Sequence, residues 1–361
     1  MTRALTRSTA PSLPFTEASA PVLIVGGAGF IGCNLAAHLA RAGARIRLYD
    51  DLSRPGVAHN LAWLRGAHGD QIEVCIEDVR DGAALREAVV GVQAVFHLAA
   101  QVAVATSVIS PRHDFEVNAG GTLELLEALR ALPTPPPLVF TSTSKVYGSL
   151  PDVPLQLEGQ RWCPADPALQ RSGIDEQRPL AFRTPYGCSK GAADQYVLDY
   201  AHSFGLPATV LRLSSIFGPH QLGTEDQSWV ARVLVRALDG APVTIHGDGR
   251  QVRDVLYVDD LVDALIRAWS QIDQVRGRAF NVGGGPASTL SLLELLDLVT
   301  HLRGQPPATR LEDWREGAQR YYVSDPRAFM ATTGWRPRVL PRTGIEALHG
   351  WLLDSRAPAR A

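Results

Sequence analysis

The stretch PVLIVGGAGFIG, residues 21–32, decides the fold of this chain. An apolar, β-branched run comes first. Gly26, Gly29 and Gly32 follow with the spacing Gly-x-x-Gly-x-x-Gly, and a helical pattern begins at Ile31. Glycine lets the backbone turn tightly and approach a pyrophosphate closely, and the first N–H groups of the following helix attract anions. A strand, a glycine turn and a helix in this order predict a dinucleotide-binding unit.

Strand and helix patterns continue to alternate along the chain. Further strands are predicted at 45–49, 71–76, 94–98, 138–141, 207–214 and 279–282, and helices at about 58–65, 81–90, 112–131, 186–204 and 259–272. This order predicts an α/β fold, a Rossmann-like doubly wound parallel sheet with a smaller, interleaved C-terminal substrate domain. Right-handed crossovers place the carboxyl ends of the strands along one edge, where ligands bind.

The predicted domain boundaries lie where the alternation of strand and helix patterns changes. Residues 1–20 are predicted to be a loose N-terminal extension without an apolar core of signal-peptide length. The predicted NAD-binding domain and substrate-binding domain alternate along the chain, the first at 21–215 and 255–283 and the second at 216–254 and 284–361. A proline-rich stretch with little periodicity, 148–184, predicts a long functional loop.

Composition excludes several classes of function. The chain has 361 residues, 45% of them hydrophobic and 20% charged, and a formal net charge of -2, so nothing indicates a nucleic-acid or membrane-surface partner. No stretch has the length and apolarity of a transmembrane helix. The four cysteines are scattered, with no spacing typical of a metal site or a disulfide framework. We therefore expect a cytoplasmic protein that holds no metal.

Asp50 indicates which dinucleotide the glycine turn holds. It ends the second predicted strand, where a carboxylate accepts hydrogen bonds from the adenosine ribose and repels the additional phosphate of NADP. NAD is therefore the predicted cofactor, although Arg54 nearby weakens the preference, and a plain turn residue is the alternative for Asp50. Asp78 ends the third strand and is predicted to bind the adenine amino group, or alternatively to cap a helix near residue 80.

Four further positions, 97–100, complete the predicted cofactor site at this edge of the sheet. The fourth strand ends in His97, followed by Leu98, Ala99 and Ala100, and the small residues leave room for a cofactor. His97 itself is predicted to be a buried histidine with its hydrogen bonds satisfied and not a catalytic base.

Tyr186 and Lys190 form the candidate catalytic pair. They lie four residues apart in the run PYGCSKG and therefore on the same face of a helix. A phenol with an unperturbed pKa near ~10 is a poor base at neutral pH, and a nearby ammonium lowers that pKa. With Thr143, which follows the fifth strand, the pair suits proton transfer from a sugar hydroxyl. The alternatives are a surface tyrosine and lysine that share a helix face, and a turn rich in serine and threonine.

On these motifs the chain resembles the extended short-chain dehydrogenase/reductase family over roughly residues 21–350. The matching positions occur in the family's order: 26–32, Asp50, Asp78, 97–100, Asn118, Thr143, Tyr186, Lys190 and Arg253. The resemblance implies a tightly held NAD and a nucleotide-diphosphate sugar as substrate. It also implies that Thr143 assists Tyr186 as the base, and that Lys190 binds the nicotinamide ribose and lowers the pKa of Tyr186.

The resemblance also implies two sets of binding residues. The cofactor contacts are expected at Gly26, Gly29, Phe30, Ile31, Gly32, Asp50, Ser53, Asp78, Val79, Leu98, Ala99, Ala100, Asn118, Tyr186 and Lys190. The substrate contacts are expected at Gln101, Thr143, Ser144, Lys145, Ser215, Arg253 and Arg315. The two arginines would hold the diphosphate, because a guanidinium fork matches its geometry, and surface ion pairs are the alternative.

Two departures from the family pattern narrow the reaction. Sugar 4,6-dehydratases carry Asp-Glu directly after the Ser/Thr, whereas this chain carries Ser144 and Lys145, which supply no carboxylic acid for elimination. Many members carry an asparagine where this chain has Ser215, so the side-chain amide of the usual substrate site is missing. The first departure argues against dehydration, and the second argues against the substrate pose of galactose-type 4-epimerases.

Several stretches resemble one subfamily in particular, the CDP-tyvelose (CDP-paratose) 2-epimerases. They are 51–54, 97–107, 144–148, 184–200, 227–230 and 251–254, while Ala318 replaces an acidic residue expected there. The resemblance implies epimerisation at C2 through transient oxidation to a keto sugar and hydride return, in a homodimer or homotetramer. The alternatives are a UDP-sugar 4-epimerase, a net reductase using NADP, which Asp50 argues against, and a non-catalytic NAD-binding regulator.

Overall fold

The computed structural model describes residues 19–221, 229–314 and 318–356. Most of the predicted N-terminal extension, the predicted diphosphate ligand Arg315, and Gln227 and Ser228 of the subfamily match lie outside the described residues. Among those that are described, no helix is long and apolar enough to cross a membrane, and no group of His, Cys, Asp and Glu is arranged to hold a metal ion.

The described chain forms fifteen strands and fourteen α-helices. The strands are β1 (Val22–Val25), β2 (Ile46–Tyr49), β3 (Ile72–Cys75), β4 (Ala94–His97), β5 (Leu138–Thr143), β6 (Leu155–Glu158), β7 (Arg161–Pro164), β8 (Ala208–Leu213), β9 (Ser215–Phe217), β10 (Val243–His246), β11 (Val252–Tyr257), β12 (Ala279–Val282), β13 (Thr289–Ser291), β14 (Thr309–Glu312) and β15 (Tyr321–Tyr322). The helices are α1 (Phe30–Arg41), α2 (Val57–His68), α3 (Gly82–Ala88), α4 (Val104–Ile109), α5 (Pro111–Phe115), α6 (Gly121–Arg130), α7 (Pro167–Ser172), α8 (Thr184–Ser203), α9 (Trp229–Leu238), α10 (Val258–Ser270), α11 (Ile272–Val275), α12 (Leu292–Arg303), α13 (Arg327–Thr333) and α14 (Pro341–Arg356).

Seven parallel strands form the central sheet, in the order β12-β8-β5-β4-β1-β2-β3. All four residues of β1 are fully buried because helices cover both faces of the sheet. Helices α1 and α10 pack on one face, and α6 and α8 on the other. The predicted Rossmann-like, doubly wound parallel sheet is confirmed. The strand order reverses between β1 and β4, which opens a crevice at their carboxyl ends.

A smaller region surrounds β11. This strand pairs with β9, β13 and β15, while β10 pairs with β14, and helices α9, α12 and α14 pack around them. The division into two domains remains a prediction. The predicted division assigns 284–361 to the substrate-binding domain. Helix α13 does not follow this assignment, because its Phe329 and the following Trp335 are fully buried in the core of the large sheet.

The predicted long loop at 148–184 is wrong in part. It contains the antiparallel hairpin β6–β7 and the short helix α7. The hairpin is fastened to the smaller region, where Arg161 forms an ion pair with Glu294 at 2.5 Å and donates to Oγ1 of Thr289 at 3.0 Å. These contacts join residues more than 120 positions apart in sequence, so local periodicity does not predict them.

The helical stretch predicted at 112–131 is confirmed, because the backbone stays helical from Pro111 to Arg130, with one irregularity that the sequence did not indicate. Helices α5 and α6 are separated by one turn of π-helix, Glu116–Gly120, which carries Asn118. The π turn inserts an extra residue into the helical register, and such turns are frequent at functional sites. It directs the Asn118 amide into the interior, where the side chain is 1% exposed.

Candidate active site

The glycine turn after β1 brings backbone very close to backbone. Gly26 has φ +84°, and a Cβ on it would lie 2.5 Å from the amide nitrogen of Ala99, which follows β4. A Cβ on Gly32 would lie 2.3 Å from the carbonyl oxygen of Gly26. Helix α1 starts after Gly29 and receives no side-chain cap among the described residues, so its first N–H groups face the turn. This cradle fits the pyrophosphate of a dinucleotide.

Asp50 is oriented at the edge of this cradle. Its Oδ2 accepts from the backbone N–H of Ala28 in the glycine turn at 3.0 Å, and its Oδ1 accepts from the N–H of Leu52 at 3.0 Å. Burial raises the pKa of the carboxyl group, and the two backbone hydrogen bonds oppose that shift. The carboxylate therefore lies beside the turn, which fits the predicted contact with the adenosine ribose.

Asp78 is held by Arg80. The guanidinium donates to both carboxylate oxygens, with Nη2 at 2.6 Å from Oδ2, and this bond lowers the pKa of Asp78. The alternative role of Asp78 as a helix cap is wrong, because Asp81 caps α3 by accepting from two backbone N–H groups. Of the neighbouring predicted cofactor residues, Val79 is buried and Ser53 bonds to Asp51 through both its N–H and its hydroxyl.

The remaining predicted cofactor residues line the same crevice. Leu98 and Ala99 each donate a backbone N–H to the carbonyl of Val25 at 2.8 Å, which holds 98–100 against the end of β1. Phe30 and Ile31 begin α1 and pack partly buried against the core. His97 is fully buried, with Nε2 3.0 Å from Oγ1 of Thr122, and burial lowers its pKa to about 3. The prediction that His97 is buried is confirmed, but the prediction that its hydrogen bonds are satisfied is wrong, because Nδ1 is buried without a partner among the described residues.

Thr143, Tyr186 and Lys190 come together where β5 ends against α8. Tyr186 is 9% exposed and hydrogen-bonded to the Thr143 hydroxyl. Lys190 is 3% exposed; its Nζ donates to the carbonyl of Thr141 at 2.8 Å and lies 4.3 Å from the centre of the Phe140 ring. Burial lowers the pKa of Lys190 to about 7, and the Asp194 and Asp114 carboxylates oppose that shift.

The expected effect of Lys190 on Tyr186 is not found in the protein alone. Burial raises the pKa of Tyr186 to about 12, and the hydrogen bond to Thr143 only partly opposes the increase. The Lys190 charge is taken up by the Thr141 carbonyl and by the two buried carboxylates, Asp194 and Asp114. The ammonium is therefore already compensated within the fold, and the pair alone does not make the phenol a base at neutral pH.

Asn118 connects the catalytic helix to the loop that carries Gln101. Its Oδ1 accepts from the N–H of Gln101 at 2.9 Å, and its Nδ2 donates to the Gln101 carbonyl and the Ser189 hydroxyl, both at 3.0 Å. The structure gives this amide a positioning role inside the protein, while contact with the cofactor remains a prediction. The Gln101 side chain closes onto the backbone of Ala103.

Two cations, Lys145 and Arg253, form a cluster beyond the catalytic residues. The Lys145 Nζ donates to Oε1 of Gln319 at 3.1 Å, and Nη2 of Arg253 donates to the Gln319 carbonyl at 2.6 Å. Burial, aided by the neighbouring Arg253 charge, lowers the pKa of Lys145 to about 7, and burial lowers that of Arg253 to about 10. Two neighbouring cations suit a dianionic ligand.

The other predicted substrate residues, Ser144 and Ser215, do not contact Gln319 or the two cations among the bonds of the described residues. Ser144 begins the 3₁₀ turn that carries Lys145 and is half-buried. Ser215, in β9, has its hydroxyl 3.4 Å from Nε1 of Trp229. Arg315, the second arginine predicted to hold the diphosphate, lies outside the described residues.

Gln319 and Asp114 are residues of this site that the sequence analysis missed. Gln319 is 1% exposed and joins Lys145 to Arg253, yet no periodic pattern surrounds it. Asp114 is fully buried and bonds to Asn118 and Ser189. A weak sequence signal for Asp114 existed, because it lies four residues before Asn118 and therefore close to the same helix face.

An open cavity of about 880 Å³ lies in the smaller region, at the ends of β10 and β14. It is lined by His246, Gly247, Asp248, Leu311, Glu312, Asp313 and Trp314. Arg320, next to Gln319 in sequence, lies between the rings of Trp162 and Trp314, at 5.4 Å and 5.3 Å. Nε1 of Trp162, from the hairpin β6–β7, donates to Asp248 at 2.8 Å. The cavity wall is therefore joined to the residue after Gln319 through the contact of Arg320 with Trp314.

Comparison with known proteins agrees with this geometry. The sequence profile of the NAD dependent epimerase/dehydratase family matches residues 22–283. The chain is 38% identical to CDP-paratose 2-epimerase from Salmonella typhi, over 91% of this chain and 98% of that protein. It is 31% identical to a dTDP-glucose 4,6-dehydratase from Xanthomonas campestris, over 92% and 93%.

A solved structure extends the likeness to three dimensions. The UDP-glucose 4-epimerase of Thermus thermophilus, in complex with NAD, superposes with a TM-score of 0.77 at 30% identity, covering 94% of this chain and 100% of that one. The glycine cradle, the oriented Asp50 and the Thr143–Tyr186–Lys190 set occupy the edge of the sheet where that fold holds its cofactor. The chain belongs to the NAD dependent epimerase/dehydratase family and is an NAD-using epimerase.

Proposed function

We propose that the protein epimerises a CDP-activated 3,6-dideoxyhexose at C2, interconverting CDP-paratose and CDP-tyvelose. The observation that carries this proposal is Lys145. It lies two residues after Thr143, where dehydratases carry an acid. Its side chain and that of Arg253 both donate hydrogen bonds to Gln319. The site offers no carboxylic acid at that position for elimination. The 38% identity to a CDP-paratose 2-epimerase, nearly end to end, supports the same conclusion.

The catalytic residues have separate tasks in this reaction. Bound NAD supplies the acceptor, and then the donor, of the hydride at the sugar carbon. Oη of Tyr186 receives the proton of the C2 hydroxyl and returns it after the sugar presents its other face. The Thr143 hydroxyl orients the phenol, and Lys190 holds a positive charge beside it. Burial of Tyr186 and Lys190 excludes water from the proton transfer.

The pKa of the isolated phenol sets a requirement for this mechanism. A pKa of about 12 means that Tyr186 is protonated in the protein alone at neutral pH. Residues 98–100 and Lys190 border the crevice in which a dinucleotide fits, so a ligand there would lie close to the phenol. We infer that Tyr186 becomes a base only in the loaded enzyme, because an added positive charge nearby favours the phenolate.

The substrate is held by its nucleotide end. Lys145 and Arg253 bind the diphosphate, whose two negative charges compensate the buried cations. The base enters the cavity of about 880 Å³ against Trp314 and His246. The Asp248 carboxylate on that cavity, which also accepts from Trp162, suits the amino group of cytosine better than the carbonyl oxygen that uracil presents in its place, which supports a CDP-sugar.

The second candidate is a UDP-sugar 4-epimerase. It would use the same Thr143, Tyr186 and Lys190, and the Thermus thermophilus enzyme of that activity shares the fold over the whole of its chain. The amide missing at Ser215 argues against it. A non-catalytic NAD-binding regulator would have no use for a buried lysine and tyrosine arranged beside the cofactor crevice.

We further propose a homodimer in the cytoplasm. Apolar side chains are exposed on neighbouring elements, Ile109 of α4 at 84%, Phe115 of α5 at 59% and Tyr196 of α8 at 46%. A second copy would cover them, and a homotetramer is the alternative. All four cysteines are free, which fits a reducing compartment. Light scattering of wild type and of the double variant Ile109→Asp, Phe115→Ser measures the mass in solution; a wild-type monomer contradicts the dimer.

A panel of CDP-, UDP-, GDP- and dTDP-sugars, with products identified by NMR, tests the function. Inversion at C2 of a CDP-dideoxyhexose is expected, without release of NADH and without deuterium from solvent entering C2. Inversion only at C4 would replace this proposal by the 4-epimerase, and incorporation of deuterium at C2 would replace hydride return by enolisation.

A further inference from the structure

Asp114 is a buried carboxylate of the candidate active site to which the proposed reaction assigns no task. It lies on α5 and is fully buried. Its Oδ2 accepts a short hydrogen bond from the Ser189 hydroxyl, and its Oδ1 accepts from Nδ2 of Asn118 at 3.2 Å. Among the described residues no lysine, arginine or histidine forms an ion pair with it. A buried carboxylate without a direct cation is costly, so a reason for its presence is required.

The position of Ser189 links Asp114 to the catalytic pair. Ser189 is 3% exposed, lies between Tyr186 and Lys190 on α8, and its hydroxyl also lies 3.2 Å from the Tyr186 carbonyl oxygen. The Asp114–Ser189 bond therefore fixes the turn of the helix that carries both catalytic side chains. Asn118 extends the same network to the backbone of Gln101.

The charges around Lys190 single out Asp114. The two carboxylates that act on Lys190 are Asp194, on the same helix, and Asp114, on α5. Asp194 is already paired through both oxygens with Arg212 of β8, at 2.9 Å each. His97 of β4 is neutral, and Arg54 acts on Tyr186 from the loop after β2. Asp114 is thus the carboxylate near Lys190 that no described guanidinium neutralises.

We propose that Asp114 is a positioning residue for the proposed epimerisation: its carboxylate anchors the catalytic turn through Ser189 and keeps Lys190 charged. This inference rests on the proposed function only in that Tyr186 and Lys190 must act on a substrate. The negative charge of Asp114 also disfavours the phenolate, so it raises the pKa of both groups of the pair together. The pH range in which the enzyme works is set by a residue that touches neither substrate nor cofactor.

The experiment is the pH dependence of kcat in the NAD-loaded enzyme, with whichever nucleotide sugar the wild type converts. Asp114→Asn keeps the shape and removes the charge, so the whole profile should move to lower pH by about one unit. Ser189→Ala keeps the charge and removes the bond, so kcat should fall without a shift. Asp199→Asn, on the exposed side of α8, should change neither. Thermal melting establishes that each variant is folded.

The outcomes separate the inference from the proposed function. A wild type that converts no nucleotide sugar of the panel overturns the function. An active wild type with an Asp114→Asn profile at the wild-type position overturns the role of Asp114. If Asp114→Asn does not fold, Asp114→Ser replaces it. Asp114→Glu, which conserves the charge, must also keep the wild-type position, and a profile moved to lower pH in that variant contradicts the inference.

Discussion

Lys145 and Arg253 share one buried partner. The Lys145 ammonium donates to the side-chain oxygen of Gln319, and the Arg253 guanidinium donates to the backbone carbonyl of the same residue. Gln319 thereby brings two cationic side chains to one residue. The arrangement is suited to an anion with two charges, and it makes the first prediction possible.

Binding of CDP should take up a proton. The pKa of Lys145 is lowered to about 7 by burial and by Arg253, so at pH 8 the amine is mostly neutral. A diphosphate beside it favours the ammonium, raises the pKa and draws a proton from solution. Titration calorimetry at pH 8 in buffers of different ionisation enthalpy measures this uptake. Lys145→Arg stays charged at this pH and should bind CDP without uptake; equal uptake in both proteins would show that another group titrates.

Tyr186→Phe should lower kcat by roughly 10²–10⁴-fold, because the proton of the sugar hydroxyl then has no acceptor. The variant should retain NAD, which is measured in the supernatant after acid precipitation. Tyr196→Phe provides the matched control on the same helix, since Tyr196 is 46% exposed. Near-normal turnover in Tyr186→Phe would exclude the phenol as the base.

Gly26→Ala should abolish NAD retention. The new Cβ would lie 2.5 Å from the Ala99 nitrogen, and φ +84° is a backbone conformation that alanine rarely adopts. Gly66→Ala is the control, because a Cβ there would meet nothing within 4 Å and the position is helical. The control should be neutral or more stable by about 0.5–1 kcal/mol. Bound NAD and the urea midpoint are measured together, and a Gly26→Ala protein that retains NAD would contradict the role of the turn.

Arg212→Met should destabilise the protein by about 3–5 kcal/mol, because it leaves the fully buried Asp194 carboxylate without its guanidinium. Arg212 also donates to the Tyr147 hydroxyl at 3.1 Å, a bond that is lost as well. Arg342→Met removes an exposed ion pair with Glu346 and should cost at most about 1 kcal/mol. Denaturant unfolding of the two variants makes the comparison, and similar midpoints would show that the buried pair contributes little.

Local sequence patterns predicted the parts of the fold that local physics determines. The strands of the central sheet are apolar because both faces are covered, and the glycine turn is recognisable because it needs a special backbone at Gly26. Tyr186 and Lys190 were found because helical spacing alone places them together. The resemblance to a known family then supplied the reaction, which spacing does not contain.

The remaining features depend on contacts between distant parts of the chain. The hairpin β6–β7 forms against Glu294 and Thr289. Gln319 accepts hydrogen bonds from Arg253 and Lys145, which precede it in the sequence by 66 and 174 positions. The expected pKa of Tyr186 was wrong for the same reason, because two carboxylates and a carbonyl from other elements compensate the charge of Lys190. No helical or strand period carries such information.

The hairpin β6–β7 also has an evolutionary consequence. It lies in the chain between Lys145 and Tyr186, yet it is fastened to the opposite half by Arg161 and brings Trp162 to Asp248 beside the outer cavity. Changes confined to 155–164 would alter the wall beside the outer cavity, whereas Ala181 bonds to Val146 and Phe182 packs on Gly191 of the catalytic helix. With the nucleotide held as proposed, the hairpin is the part of this segment in which enzymes of one ancestry can diverge in substrate while the proton-transfer residues are inherited unchanged.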